Sequence, residues 1–178
     1  MSMRVFCATM VIFLLVQFTS LIGAENVNKQ GNAKMTSSQV GPAINKVKLP
    51  APKLKGTMSV EEAIKLRRTV RSFAEKPLTL EMVSQLLWAA QGITDDERHI
   101  KRAAPSAGAT YPIDMFVACG KSGISGLGAG VWRYTPSDNT LERLVSENQM
   151  SDLAECSLRQ TWAAEAPIIL AIACEYSR

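Results

Sequence analysis

Histidine is almost missing from this 178-residue chain: His99 stands alone, with no second histidine or cysteine near it in sequence. Zinc and related metals need clustered imidazole, thiolate or carboxylate ligands, so no metal site is expected. A serine–histidine–aspartate triad would have to rest on His99, and no Gly-x-Ser-x-Gly turn is present to carry its nucleophile. Aromatic residues make up only 6% of the chain, and the segment richest in lysine, residues 25–57, has none. Nucleic-acid recognition combines basic side chains with stacking aromatics or arginine clusters, so no nucleic-acid partner is expected. There is no internal repeat. No twin arginine occurs in the N-terminal segment, and the longest apolar run there, Val5–Val16, is soon diluted by Gln17, Thr19 and Ser20. That run is short for a membrane span.

The same N-terminus has a different pattern. Arg4 gives a positive start, Val5–Val16 an apolar centre, and Leu21-Ile22-Gly23-Ala24 a small-residue end before Glu25. This layout predicts a Sec-type signal peptide over residues 1–24, cut after Ala24, and hence an exported protein; an uncleaved anchor is the alternative. Of four cysteines, Cys7 falls in that segment, leaving Cys119, Cys156 and Cys174, an odd set with no ligand-like spacing. One disulfide with one free thiol would suit an oxidising compartment, but the spacing does not require it.

Charge divides the rest. Residues 25–57 hold six lysines against Glu25 alone, a net of +5, whereas residues 58–178 hold 13 basic and 15 acidic side chains, a net of −2. Asn, Gln, Ser, Lys and Pro dominate 25–57 without periodicity, which predicts a flexible linker stiffened near Pro50 and Pro52. The folded domain is expected over 58–178.

Ser59 and Glu62 form a capping box, followed by Val60, Ala63, Ile64 and Arg67 at helical spacing. The fourth member of this apolar stripe is an arginine, which demands an anionic partner if it lies at a core edge. Thr69-Val70-Arg71-Ser72-Phe73 then suits an extended segment, placing Thr69 and Arg71 on one side. Arg67, Arg68, Thr69 and Arg71 thus cluster as candidate anion binders, since guanidinium groups present forked donors that match phosphate. The alternative is a cationic helix end whose charges favour the terminal carbonyls or meet a carboxylate.

Thr79 and Gly92 bracket an amphipathic helix carrying Leu80, Val83, Leu86, Leu87 and Ala90. Residues 93–104 read as an exposed loop. Pro105-Ser106-Ala107-Gly108-Ala109-Thr110-Tyr111-Pro112 places small residues between two prolines, which lets a flat ligand approach the backbone or serves as a plain tight connection. Ile113–Cys119 reads as a strand. The glycine-rich stretch 120–130 leads into a strand, not a helix, so a dinucleotide-binding loop is excluded. Val131–Tyr134 and Leu141–Leu144 form a hairpin across Pro136–Asn139. Ser151–Ala164 reads as one helix ended by Pro167, and Ile168–Ala173 as a strand buried on both faces.

In order, Arg67–Phe73, Leu86-Leu87-Trp88-Ala89-Ala90-Gln91-Gly92, Arg102–Pro112, Gly130-Val131-Trp132-Arg133-Tyr134 and Gln160–Pro167 resemble the nitroreductase family, within it the SagB-type (ThcOx-like) dehydrogenases. The resemblance implies an α+β fold with a central, mostly antiparallel sheet flanked by helices, and a homodimer with FMN between subunits. It implies that Arg67, Arg68, Thr69 and Arg71 contact the FMN phosphate and ribityl chain, and that Pro105, Ser106, Ala107 and Gly108 lie against the isoalloxazine ring. No catalytic side chain is singled out. The implied chemistry is hydride transfer through flavin N5: reduction of nitroaromatics or quinones with NAD(P)H, or thiazoline oxidation to azoles. Family members continue past the strand matching Ile168–Ala173 with a core helix, another strand and a glycine-bearing FMN-phosphate segment. Their absence here leads to the expectation of a chain incomplete at its C-terminus. The competing expectations are an inactive fragment and an exported, non-enzymatic interaction module.

Overall fold

Two apolar strands, Ile113–Cys119 and Ile168–Cys174, buried continuously over Val117–Cys119 and Ile168–Leu170, set the centre of the fold. The computed structural model describes residues 11–12, 45–95, 101–175 and 177. Strands are β1 (Val11–Ile12), β2 (Lys46–Lys48), β3 (Ile93–Asp95), β4 (Lys101–Arg102), β5 (Ile113–Cys119), β6 (Gly130–Thr135), β7 (Thr140–Val145) and β8 (Ile168–Cys174). Helices are α1 (Val60–Leu66), α2 (Leu80–Gln91) and α3 (Met150–Cys156), with 3-10 turns at Ala107–Ala109 and Thr161–Glu165. Six strands form one sheet in the order β1-β8-β5-β6-β7-β2, antiparallel throughout except for β1 beside β8, and β3–β4 form a separate antiparallel pair. No described helix is long and apolar enough to cross a membrane.

The strand period assigns the two faces of the sheet. Met115, Val117 and Cys119 of β5 and Ile168 and Leu170 of β8 pack with Val83 and Leu87 of α2, Trp132, Tyr134 and Leu141. Ala118 and Ile169, one residue out of phase, pack with Met150 and Ala154 of α3 and with Ala163. Both helix layers therefore read the same two strands from opposite sides. β8 is buried at Ile168–Leu170 but emerges at Ala173 and Cys174, so the expected two-sided burial holds for its first half.

Helix α2 forms as its sequence predicts. Thr79 Oγ1 accepts from the Met82 amide at 3.4 Å, and the Gly92 amide donates to the Trp88 carbonyl at 2.8 Å. A side chain at Gly92 would lie 2.3 Å from the Trp88 ring.

Four sequence expectations are corrected. The flexible linker expected over 25–57 does not hold for residues 46–50, because Lys46–Lys48 pairs with Glu142, Leu141 and Thr140 as an edge strand and Leu49 is 3% exposed; residues 25–44 lie outside the described residues. Beyond it, Asn139 Nδ2 donates to the carbonyls of Leu49 and Pro50, and Ser84 Oγ donates to Pro50. A lysine–valine–lysine strand carries too little apolar pattern to announce itself, and alternating lysines are how edge strands avoid further pairing. Residues 93–104 are not simply a loop, since β3 and β4 pair there. The single helix over 151–164 is broken: Leu158 and Arg159 have φ of 57° and 56°, which no α-helix contains. The Ser157 hydroxyl donates to the Leu153 carbonyl at 2.7 Å just before the break. Finally, Thr69–Phe73 forms no strand. His99 and most of residues 1–24 lie outside the described residues.

Candidate functional site

Helix α1 begins as predicted, with Ser59 Oγ accepting from the Glu62 amide at 3.1 Å and Glu61 and Glu62 in the positive first turn. Its stripe, however, is not buried. Val60 and Ile64 are 71% and 70% exposed, and α1 has no buried residue. Arg67 is therefore not a cation at a core edge, which removes one sequence argument for its needing an anion. It closes the helix instead, its amide donating to Ala63 and Ile64.

Arg68 folds back on the same turn, its guanidinium Nη1 donating to the carbonyls of Lys65 (2.9 Å) and Arg67 (2.8 Å). That satisfies orphan carbonyls at a helix end, as basic side chains commonly do. Arg71 lies with its guanidinium carbon 5.4 Å from the Trp162 ring centroid, and Phe73 stacks on the same indole at 6.5 Å and 24°. Trp162, in the 3-10 turn Thr161–Glu165, packs on the Ala118–Ile169 core cluster and so moors an otherwise exposed segment. An exposed cation–π contact contributes about 0.5–1 kcal/mol and an aromatic pair a similar amount.

Among the described residues the ion pairs are Lys46–Asp138, Lys101–Asp95, Arg133–Glu142 and Arg159–Glu155. None involves Arg67, Arg68 or Arg71. Lys65 at the end of α1 is likewise outside these pairs. Four cations within seven residues thus have no carboxylate partner among the described residues, which fits a donor set for an anion such as phosphate.

The Pro105–Gly108 loop has a distinct geometry. Gly108, Ala109 and Tyr111 have φ of 61°, 53° and 45°. Left-handed backbone costs a non-glycine residue about 1–2 kcal/mol, so Ala109 and Tyr111 are strained. Ser106 Oγ accepts from the Tyr111 amide at 2.9 Å and lies 3.4 Å from Thr110 Oγ1. Pro105, Ala107 and Gly108 are exposed and Ser106 is half-buried. Small side chains and an open backbone suit a flat ring. The Arg102 guanidinium stacks on Tyr111 at 4.5 Å behind the loop. Burial pushes the Tyr134 hydroxyl up, with Arg102 opposing the shift.

Among the described residues no hydrogen bond or ion pair joins Arg67–Arg71 to Pro105–Gly108. A groove of about 440 Å³ is lined by residues 74–77, Gly120, Ser122, Gly123, Asn148, Met150 and Ala164–Pro167. None of the eight predicted site residues lines it, nor a second groove of about 290 Å³ by Leu49, Trp88 and Tyr134. Seven of the eight are exposed and Ser106 is half-buried. Sequence reasoning missed Trp162 and the stacking role of Arg102; neither contact leaves a local pattern, because each partner is distant in sequence. No cluster of three or more metal-ligating side chains occurs among the described residues.

A mostly antiparallel sheet with helices on both faces, an arginine-rich helix end and a small-residue loop define an α+β domain. Residues 64–178 match the nitroreductase family, and the chain belongs to it. A protein of Methanocaldococcus jannaschii named as a candidate nitroreductase is 40% identical over 121 residues, covering 68% of this chain and 59% of that one. The trifolitoxin-processing protein TfxB of Rhizobium leguminosarum bv. trifolii is 31% identical over 87 residues, 45% of this chain and 23% of its own. A crystal structure of a candidate nitroreductase from Ralstonia eutropha superposes with a TM-score of 0.53 at 31% identity, covering 63% of this chain and 49% of that one. One from Anabaena variabilis gives 0.53 at 22% identity, covering 70% and 26%, which supports the fold alone. The chain spans about three-fifths or less of the length of these relatives. Enzymes of this family generally bind flavin and act on small molecules.

Proposed function

We propose that this chain is an FMN-dependent oxidoreductase, and the observation that carries the reading is the set of guanidinium groups at the end of α1 with no carboxylate partner among the described residues. Arg67, Arg68, Thr69 and Arg71 would hold the phosphate and ribityl chain, and Pro105, Ser106, Ala107 and Gly108 would face the ring. Bound there, FMN supplies hydride transfer through N5. The protein's part is to bind and orient: Trp162 fixes the azimuth of Arg71, and the small loop residues leave the ring face open to substrate. Arg68 must exchange its bonds to Lys65 and Arg67 for bonds to phosphate, which a charge-assisted contact favours.

NAD(P)H is the proposed electron donor, with nitro compounds or quinones as acceptors. The likeness to TfxB supports a SagB-type dehydrogenation as a second reaction of the same site. The exposed Val60, Ile64 and Leu66 support pairing of two chains, and the pattern Arg4, Val5–Val16, Ala24 supports export.

Purified protein titrated with FMN is expected to quench flavin fluorescence and to turn yellow on reconstitution. NAD(P)H consumption with a quinone then reads activity. A folded protein that leaves FMN fluorescence unchanged at millimolar protein would end this reading.

A further inference from the structure

Arg102 occupies an unusual position. Its backbone is fixed from one side, because Arg102 pairs with Ile93 across β3–β4 and the Ala103 amide donates to the Gly92 carbonyl at 2.9 Å. Its side chain is half-buried, yet it joins no ion pair among the described residues, and its Nε is buried without a hydrogen-bond partner. A guanidinium removed from water in this way needs compensation. The Tyr111 ring supplies it at 4.5 Å, a separation at which the ring face attracts the cation.

Tyr111 is also where the loop is most constrained. Its φ of 45° is unfavourable for a bulky residue, and its amide is held by Ser106 Oγ at 2.9 Å. Ala109 adds a second left-handed non-glycine residue two positions earlier. Strained backbone persists only when its surroundings over-determine it. Here those surroundings include the Ser106 hydrogen bond to the amide and the Arg102 cation over the ring.

We propose that Arg102 is a positioning residue that clamps Tyr111, holding the Pro105–Tyr111 loop in its left-handed conformation before any cofactor arrives. The proposal rests on the reading of Pro105–Gly108 as the flavin-facing loop, and it adds the device that preorganises that loop. Preorganisation lowers the ordering cost of binding, so the clamp acts on affinity without touching the ligand.

The test uses hydrogen–deuterium exchange of the amides of residues 106–111 in the flavin-free full chain, together with FMN fluorescence titration. In Arg102→Met and in Tyr111→Leu, exchange of the amide at position 111 is expected to rise and the FMN Kd to weaken, each by roughly tenfold, as for loss of a desolvated cation–π contact. Arg102→Lys keeps a cation over the ring and should restore most of both effects. The double variant Arg102→Met/Tyr111→Leu should be no worse than either single one, because both remove the same contact. Unchanged exchange in Arg102→Met, no rescue by lysine, or additive losses in the double variant would each overturn the clamp. Exchange needs no cofactor: failure of the wild type to bind FMN would overturn the positioning of a flavin loop and the proposed function with it. Altered exchange would still identify the Arg102–Tyr111 contact itself.

Discussion

The guanidinium groups at the end of α1 do different work despite their adjacency. Arg68 caps helix carbonyls and Arg71 stacks on Trp162, so the first is poised to swing and the second is already aimed. Arg71→Ala is therefore expected to weaken FMN binding by at least about tenfold, the scale of one charge-assisted contact. Trp162→Leu should weaken it less, since it frees the cation but leaves it present. Titration by flavin fluorescence checks both, and an Arg71→Ala protein that binds as wild type would remove Arg71 from the site. Thiol reactivity gives a second residue-scale prediction. Cys119 is buried and its thiol is pushed up by that burial, whereas Cys156 and Cys174 are exposed and all three are free. The thiolate is the reactive form, so a disulfide reagent at neutral pH should label Cys156 and Cys174 well before Cys119. Equal rates would mean that the strand carrying Cys119 opens readily.

At the scale of elements, two helices with equally clear capping signals have unequal importance. Thr79 caps α2, which buries Val83, Ser84, Leu87 and Gln91 against the sheet. Thr79→Ala should cost about 1 kcal/mol of global stability in a urea titration, the usual value of such a cap. Ser59 caps α1, which buries nothing, so Ser59→Ala should fray α1 locally and leave the global transition nearly unmoved. A full loss of stability from Ser59→Ala would show that α1 is covered in solution. The capping box, the amphipathic run over Leu80–Ala90 and the hairpin at Pro136–Asn139 were legible because they depend on neighbours three or four residues away. Burial of α1 was misjudged because an apolar stripe announces a face without naming what covers it.

Across the whole molecule, the segment 45–50 ties the far edge of the sheet to α2 through Leu49, Asn139 and Ser84. Leu49→Ala should cost about 2–5 kcal/mol, as for other buried leucines, and thermal melting of the full chain should stay a single cooperative transition. A change below 1 kcal/mol would return residues 45–50 to the status of linker. The same strap carries a pH dependence. Lys46 bonds Asp138 and holds its carboxyl below its ordinary value of 3.8, with the Lys46 charge and Ser137 adding to the effect. A depressed carboxylate stabilises the fold above its unfolded pKa and loses that contribution as pH falls through the folded one. Asp138→Asn should therefore matter slightly at neutral pH, and not at all in acid below the folded value. Both side chains are exposed, so salt should shrink the difference.

What the sequence determined by itself was whatever short-range order can encode. Short apolar runs fixed β5 and β8, the turn at Pro136–Asn139 fixed the β6–β7 hairpin, caps fixed α2, and the order of the arginine and small-residue segments identified the family. Tertiary structure decided the rest. It drew Lys46–Lys48 into the sheet, because an edge strand needs only one partner, and it broke the helix after Cys156 at two left-handed residues. It left the stripe of α1 in solvent and placed Arg102 over Tyr111 and Arg71 over Trp162. Each of these depends on which distant surface is available to pack against, and a local pattern of residues carries no record of that.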